Sequence, residues 1–285
     1  MKRSVLIAAP CINSKIKSLR VEPCTALSHQ DYQIRSHSHE DNQYLHVEWG
    51  ADSLPFSTAV YELQSDVDGL SRRSISAGRA VVVEIDYQGS ALLLKQYSRG
   101  GLIRKFSRNS YIWTGMQRTR AVREVKLLAS LYASGLPVPK PVGCRVERVS
   151  GPGSGRWRYR AYLVTTLLVD CESLDKVFFD SAGGAGGPEQ IQLWENAGLC
   201  LARFRRAGVY HADLNLTNIL LDTSGQNYLL DFDRCYQMEP DGRRYSSLAT
   251  RMLTRLLRSV NKYEVKHGQE VSAAAREALV AAYWS

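Results

Sequence analysis

His211-Ala-Asp213-Leu-Asn-Leu-Thr-Asn218 and, further on, Leu229-Leu-Asp231-Phe232-Asp233 are the residues of this chain whose types and spacing could do chemistry. Asp213 and Asn218 stand five apart, and Asp231 follows thirteen after Asn218. This set suits phosphoryl transfer, which needs a carboxylate to orient the acceptor and oxygen ligands for magnesium near the triphosphate. Asp213 would supply the first. Asn218 and Asp231 would offer a hard cation an amide oxygen and a carboxylate. Between them, Ile219-Leu-Leu-Asp222, a Thr-Ser-Gly-Gln-Asn turn and Tyr228-Leu-Leu-Asp231 read as a short β-hairpin. Such a hairpin would return Asp231 to the side of Asn218. An ordinary apolar hairpin with polar ends is the plainer alternative, and a lone His-x-Asp would not rise above it. The two-part pattern does.

Other elements must place the nucleotide. Ala80-Val-Val-Val-Glu-Ile-Asp86, a Tyr-Gln-Gly-Ser turn and Ala91-Leu-Leu-Leu-Lys95-Gln-Tyr97 predict a hairpin. Gly78, just before it, would let backbone N–H groups approach phosphates, although a single glycine fits a plain turn equally well. Met116 to Ser134 predicts a helix stopped by Gly135. Its apolar stripe runs through Ala121, Leu127, Leu128 and Leu131, and Glu124 is the one acid on it. A carboxylate set among apolar residues needs a cation. Lys95 on the preceding strand is the favoured partner, as in protein kinases, where a strand lysine paired with a helix glutamate grips the α- and β-phosphates. Arg120, one turn back on the helix, is the local alternative.

Length and composition bound the rest. With 285 residues, 44% hydrophobic and 23% charged, the chain has enough material for one or two globular domains. A net charge of +9 favours an acidic partner. The six cysteines (11, 24, 144, 171, 200 and 235) form no Cys-x-x-Cys, so neither a zinc site nor a redox pair is indicated. They read as small buried hydrophobes in a reducing compartment. The opening Met1-Lys-Arg-Ser-Val-Leu-Ile-Ala-Ala-Pro10 is too briefly apolar for a signal peptide, and no stretch approaches the ~20 apolar residues of a membrane span.

Residues 1–43 are mixed and polar and predict an N-terminal extension, loosely ordered. His37 and His39 are read as part of a solvated surface turn rather than a metal site. Leu136-Pro-Val-Pro-Lys-Pro141 predicts an extended connector, and Arg158 to Val169 contains a strand. The chain should cross to a second lobe near Thr166 to Cys171. Gly183-Gly-Ala-Gly-Gly187 lacks the Gly-Lys-Ser/Thr of a P-loop and reads as a surface loop. A helix from Pro188 to about Arg206, burying Ile191, Trp194, Leu201 and Phe204, ends at Gly208 and delivers the chain to His211. The leucines and arginines of 250–258 read as a closing helix with leucines inward, ahead of a helix lying on anionic lipid.

The chain resembles the protein-kinase-like superfamily and, within it, the bacterial lipopolysaccharide kinases that act on 3-deoxy-D-manno-octulosonic acid (Kdo). The resemblance runs from roughly residue 75 to 260. It is carried by Lys95-Gln-Tyr-Ser-Arg-Gly-Gly-Leu-Ile-Arg-Lys105, Tyr111-Ile-Trp113-Thr-Gly, Arg118-Thr-Arg120, Arg123-Glu124, Gly135-Leu-Pro-Val-Pro139, Gly208-Val-Tyr-His-Ala-Asp-Leu-Asn215 and Asp231-Phe-Asp-Arg234. It implies an α+β fold of two lobes, a small β-rich N-lobe over 44–169 and a mainly helical C-lobe over 170–285. It implies ATP and Mg2+ between them, and phosphorylation of a Kdo hydroxyl, O-4 being the expected position, in Kdo-bearing lipid A during inner-core biosynthesis. The enzyme would sit peripherally on the anionic cytoplasmic face of the bacterial inner membrane. By motif position, Lys95 is the phosphate-gripping lysine, Glu124 its partner, Asp213 the acceptor-orienting carboxylate, and Asn218 and Asp231 the metal ligands, with His211 bracing the loop.

The departures are specific. Asn215 stands where protein kinases usually carry lysine, Asp233 replaces the glycine of Asp-Phe-Gly, and no Ala-Pro-Glu segment follows, which argues against a protein substrate. Leu216-Thr217 and Cys235 also differ from the Kdo kinases. Arg99, Arg104, Lys105 and Arg108, with Arg118, Arg120 and Arg123, form either a cationic rim for the Kdo carboxylate and lipid A phosphates or a solvated charged face. Two other functions fit the same motifs less well: a soluble small-molecule kinase of the aminoglycoside or choline type, and a non-catalytic pseudokinase scaffold. No helix-turn-helix, zinc-finger or RNA-recognition signature supports nucleic-acid binding.

Overall fold

The computed structural model describes residues 31–63, 70–77, 80–97, 111–149, 157–180 and 188–285. Among them, eight strands form one antiparallel sheet: β1 (Gln33–His39), β2 (Asn42–Glu48), β3 (Leu70–Ala77), β4 (Ala80–Tyr87), β5 (Ser90–Gln96), β6 (Tyr111–Ile112), β7 (Pro141–Val149) and β8 (Arg158–Thr166). Their order is β1-β2-β7-β8-β5-β4-β3, and β6 adds to β8 through Tyr111 opposite Tyr159. Alternation along the strands serves both faces. Leu45 and Val47 point into one core, while Tyr44 points into another with Tyr61, Ile85, Leu92, Leu94 and Val164. Helix α1 (Arg120–Ala133) covers the first face, packed on β7 and β8 through Val122, Val125 and Leu128.

The chain leaves the sheet after Thr166 and enters a mainly helical half. This half contains β9 (Cys171–Ser173), α2 (Leu174–Phe179), α3 (Pro188–Arg206), β10 (Val209–Tyr210), β11 (Ile219–Asp222), β12 (Asn227–Leu229), β13 (Tyr236–Gln237), α4 (Arg243–His267) and α5 (Ala273–Trp284). Helices α3 and α5 pack closely at Gly198, where a Cβ would stand 2.5 Å from the Leu279 carbonyl. The first core continues without a break into this half through Trp194, Phe204, Leu216, Phe232 and Leu256. The result is the expected α+β arrangement of a β-rich and a helical lobe. Leu248, Leu253 and Leu256 of α4 are buried while Arg251 and Arg258 are exposed, as a closing helix requires.

Three expectations need correction. The loosely ordered extension was drawn to residue 43, but from Gln33 the chain pairs along all of β1 with β2. An edge strand satisfies its backbone through one neighbour and can carry polar side chains on both faces, so composition hides it. His37 lies within β1, stacked on Phe56 at 3.9 Å between ring centres, and not in a turn. The helix expected from Met116 begins at Arg120. Met116–Arg118 form a 3-10 turn, and Thr119 is extended at φ −67° and ψ 150°.

Candidate active site

Helix α3 ends because Gly208 takes φ +71°, a conformation open to glycine. A Cβ there would also lie 1.8 Å from the Met238 carbonyl, so the turn admits no side chain. Strand β10 pairs with β13 and hands the chain to His211, which is 1% exposed. The His211 Nδ1 accepts from the Asp213 backbone N–H at 3.3 Å, so Nε2 carries the proton and donates to the Leu230 carbonyl at 2.8 Å. Burial lowers the His211 pKa, partly offset by that carbonyl, and the ring stays neutral. It braces the loop, as expected.

The loop itself is held from inside. Leu214 and Leu216 are buried, and the Leu216 N–H donates to Ser259 Oγ of α4 at 3.3 Å. Asn215 accepts from the Thr217 N–H at 2.9 Å and donates to the Asp213 carbonyl at 3.0 Å. Asn218 Nδ2 donates to the same carbonyl at 2.8 Å. Asp213 is therefore fixed through its backbone, while its side chain is exposed and has no hydrogen bond or ion pair among the described residues.

The predicted hairpin is β11 and β12, with Ile219 opposite Leu229 and the Leu230 N–H donating to the Asn218 carbonyl at 2.9 Å. Asp222 ties its turn by accepting from the Ser224 and Gln226 N–H groups at 2.8 and 2.9 Å. This brings Asp231 back beside Asn218. Asp231 sits at φ +60°, an unfavourable backbone for a residue with a Cβ. Its Oδ1 accepts from Lys95 Nζ at 2.6 Å, across from strand β5. Lys95 Nζ also stands 3.7 Å from Glu124 Oε1, and Tyr97 OH donates to Glu124 Oε2 at 2.5 Å.

The charges follow from this geometry. Burial would depress the Lys95 pKa, but Glu124 and Asp231 outweigh it and hold the ammonium charged. Burial would raise Asp231, but Lys95 outweighs it and keeps the carboxylate ionised. Glu124, 3% exposed, is raised because burial exceeds the pull of Lys95. Asn218 spends its amide nitrogen on Asp213, which leaves the amide oxygen for a cation. Asp231 retains Oδ2. These two donors fit the oxygen preference of magnesium, whose other ligands would be phosphate oxygens and water. No group of three or more His, Cys, Asp or Glu able to hold a metal by itself occurs among the described residues.

Two contacts escaped sequence reasoning. Tyr97 is the partner that satisfies the second oxygen of Glu124. Arg120 does not pair with Glu124, nor does it stand free on a cationic rim. It forks onto Asp233, with Nε at 2.7 Å from Oδ1, and it donates to Tyr111 OH at 2.8 Å. Its guanidinium lies over the Tyr97 and Tyr111 rings. The signal was present: Arg120 is one turn before Glu124, and Asp233 is two residues after Asp231, so helix α1 meets the same turn twice. Arg118 and Arg123 are exposed. Gly78, the Arg99–Arg108 basic run with Gly100 and Gly101, and the Gly183–Gly187 cluster lie outside the described residues.

Residues 71–283 match the family model of the lipopolysaccharide kinase (Kdo/WaaP) family. The chain belongs to this family. It is accordingly an ATP-dependent phosphotransferase. Among its relatives, the 3-deoxy-D-manno-octulosonic acid kinase of Stenotrophomonas maltophilia (strain K279a) is 38% identical over 186 residues, covering 65% of this chain and 68% of that protein. The enzyme of the same name from Photobacterium damsela subsp. piscicida is 32% identical over 217 residues, covering 75% and 81%. A solved structure of WaaP in complex with acyl carrier protein superposes with a TM-score of 0.50 at 15% identity, covering 80% of this chain and 81% of that one. That likeness establishes the two-lobed kinase-like fold of the lipopolysaccharide kinase.

Proposed function

We propose that this lipopolysaccharide kinase transfers the γ-phosphoryl group of ATP to a hydroxyl of Kdo, its O-4, in a Kdo-bearing lipid A precursor. The reading rests on one observation above others. Lys95 bridges Asp231 and Glu124, while Asn218, beside Asp231, is bonded to the backbone of Asp213. One cation and three oxygen-bearing side chains from both lobes thus converge. Family membership supports the reaction type, and the names of the relatives support Kdo as the acceptor.

In this account Lys95, held charged by its two carboxylates, passes from Asp231 to the α- and β-phosphates when nucleotide binds, and Glu124 keeps it oriented. Asn218 and Asp231 would hold a magnesium ion, which would neutralise phosphate charge there. Asp213 accepts the proton of the sugar hydroxyl as the oxygen attacks the γ-phosphorus and the bond to ADP breaks. The protein contributes position and charge. We take the sheet-bearing half, from β1 through residue 169, and 170–285 as the lobes that close on the nucleotide. We also place the enzyme on the anionic cytoplasmic face of the inner membrane as a peripheral protein. No helix among the described residues is long and apolar enough to cross a membrane, and the net charge of +9 suits that surface.

Asp213→Ala tests the assignment. The Asp213 side chain is exposed and has no hydrogen bond or ion pair among the described residues, so the variant should fold and melt like wild type. Loss of a positioned base costs about 10²- to 10⁴-fold in rate. Transfer to Kdo-lipid A at the wild-type rate would refute the role given to Asp213.

A further inference from the structure

Helix α4 lies against the catalytic loop. The His211 backbone N–H meets Met252 Sδ at 3.0 Å, and the Leu216 N–H meets Ser259 Oγ at 3.3 Å. Met252 and Ser259 are two turns apart, so they share one helix face, and Arg255 lies between them on it. Arg255 is half-buried, while Arg251 and Arg258 on the outer side are exposed. Arg120 is committed to Asp233, Arg203 to the Gly135 carbonyl and Arg205 to the Tyr283 carbonyl, while Arg234, in the Asp231 turn, is exposed. Arg255 has no ion pair or hydrogen bond among the described residues. Burial is the main cause of the low His211 pKa, and the charge of Arg255 adds a smaller push in the same direction, which places it within electrostatic reach of the loop.

A half-buried guanidinium loses part of its hydration and recovers it from hydrogen-bond acceptors, most strongly from an anion. The exposed Asp213 carboxylate poses the complementary difficulty, because it repels any acceptor that carries a negative charge beside the reacting hydroxyl. Kdo is such an acceptor: its carboxylate and hydroxyls share one sugar. We propose that Arg255 is the subsite for the carboxylate of the acceptor sugar, a specificity-determining residue that holds the anion while Asp213 takes the hydroxyl. A planar fork suits a carboxylate better than a point charge does. The inference rests on the Kdo reading given under the proposed function, and it adds the group by which the sugar is recognised.

Steady-state kinetics on the full chain test it with three acceptors: Kdo-lipid A, the same molecule with the sugar carboxyl converted to the amide, and the same molecule with the lipid A phosphates removed. Arg255→Gln should raise the acceptor KM about 10- to 100-fold, the size of a lost charge-assisted contact, and leave the ATP KM unchanged. The amide acceptor should cost wild type a similar factor and cost the variant nothing further. Removal of the phosphates should affect both enzymes alike. Arg255→Lys, which keeps the charge, should recover part of the loss, and it carries the comparison if the glutamine variant melts early. Equal carboxylate-to-amide ratios in wild type and Arg255→Gln overturn the proposal. So does a variant effect that disappears when the phosphates are removed, which would make a phosphate the ligand. Wild type that transfers to no Kdo acceptor overturns the Kdo reading itself, and the subsite with it.

Discussion

Asp233 replaces the glycine that ends the Asp-Phe-Gly motif of protein kinases, and here it clamps helix α1. Asp233→Asn keeps the size and removes the charge. Arg120 cannot swing to another anion, since Tyr111 OH holds it at 2.8 Å and two aromatic rings enclose it. The Arg120 and Asp233 side chains are 25% and 15% exposed, so the fork is worth more than a surface pair and less than a fully buried one. The loss should be about 2 kcal/mol, the lower part of the range for hydrogen bonds to charged groups. In a chain of this size that lowers Tm by roughly 4–8 °C. Catalysis should suffer as well. Asp231 is two residues away in a turn closed by the Cys235 N–H on the Phe232 carbonyl at 3.0 Å, so a looser Asp233 lets the metal ligand drift. Thermal melts and magnesium titrations at saturating ATP read the two effects. The magnesium concentration for half-maximal rate should rise severalfold while the acceptor KM stays put. Arg120→Ala combined with Asp233→Asn should cost less than the sum of the two, with a coupling of about 1 kcal/mol or more. Asp233→Asn that melts with wild type and keeps its magnesium dependence would refute the reasoning.

Other consequences follow from the same contacts. Lys95→Met should abolish transfer. Because Lys95 holds the Asp231 pKa below its ordinary value, that stabilisation is present above the unfolded carboxylate value of about 3.9 and is lost as pH falls through the folded value. Denaturant midpoints of wild type and Lys95→Met should therefore converge as pH drops below about 4, and a constant gap down to pH 3 would speak against the pairing. Gly208→Ala forces a Cβ into the Met238 carbonyl at φ +71° and should cost about 3 kcal/mol or more, read as an early melt.

Much of the site was legible because its signals are local. Pro188 and Gly208 bracket α3, whose observed bounds are Pro188–Arg206. The turn residues 223–227 between two apolar runs define the hairpin that returns Asp231 to Asn218. Lys95 and Glu124 were paired on a half-local argument, an acid on an apolar stripe that needed a cation. What the sequence hid depends on tertiary contact. Strand β1 carries a single apolar residue, Ile34, so its composition gives no alternating pattern to mark it. Strands β3 and β7 also went unread. The 3-10 turn at Met116–Arg118 carries helix-like spacing and moved the predicted start of α1 forward. The choice of Arg120 between Glu124, one turn away, and Asp233, 113 residues away, is settled only when α1 turns Glu124 inward toward Lys95. Arg255 gave no sign of being different from Arg251 or Arg258 until α4 was seen against the loop.

The central claim is tested most directly by mass spectrometry of Kdo-lipid A after incubation with this enzyme, ATP and magnesium, with fragmentation to locate the change. One added phosphate on the Kdo ring, absent without ATP and absent with Asp213→Ala, is the predicted result. An unmodified acceptor, or a phosphate found instead on a soluble sugar or amine offered alongside it, would contradict the account.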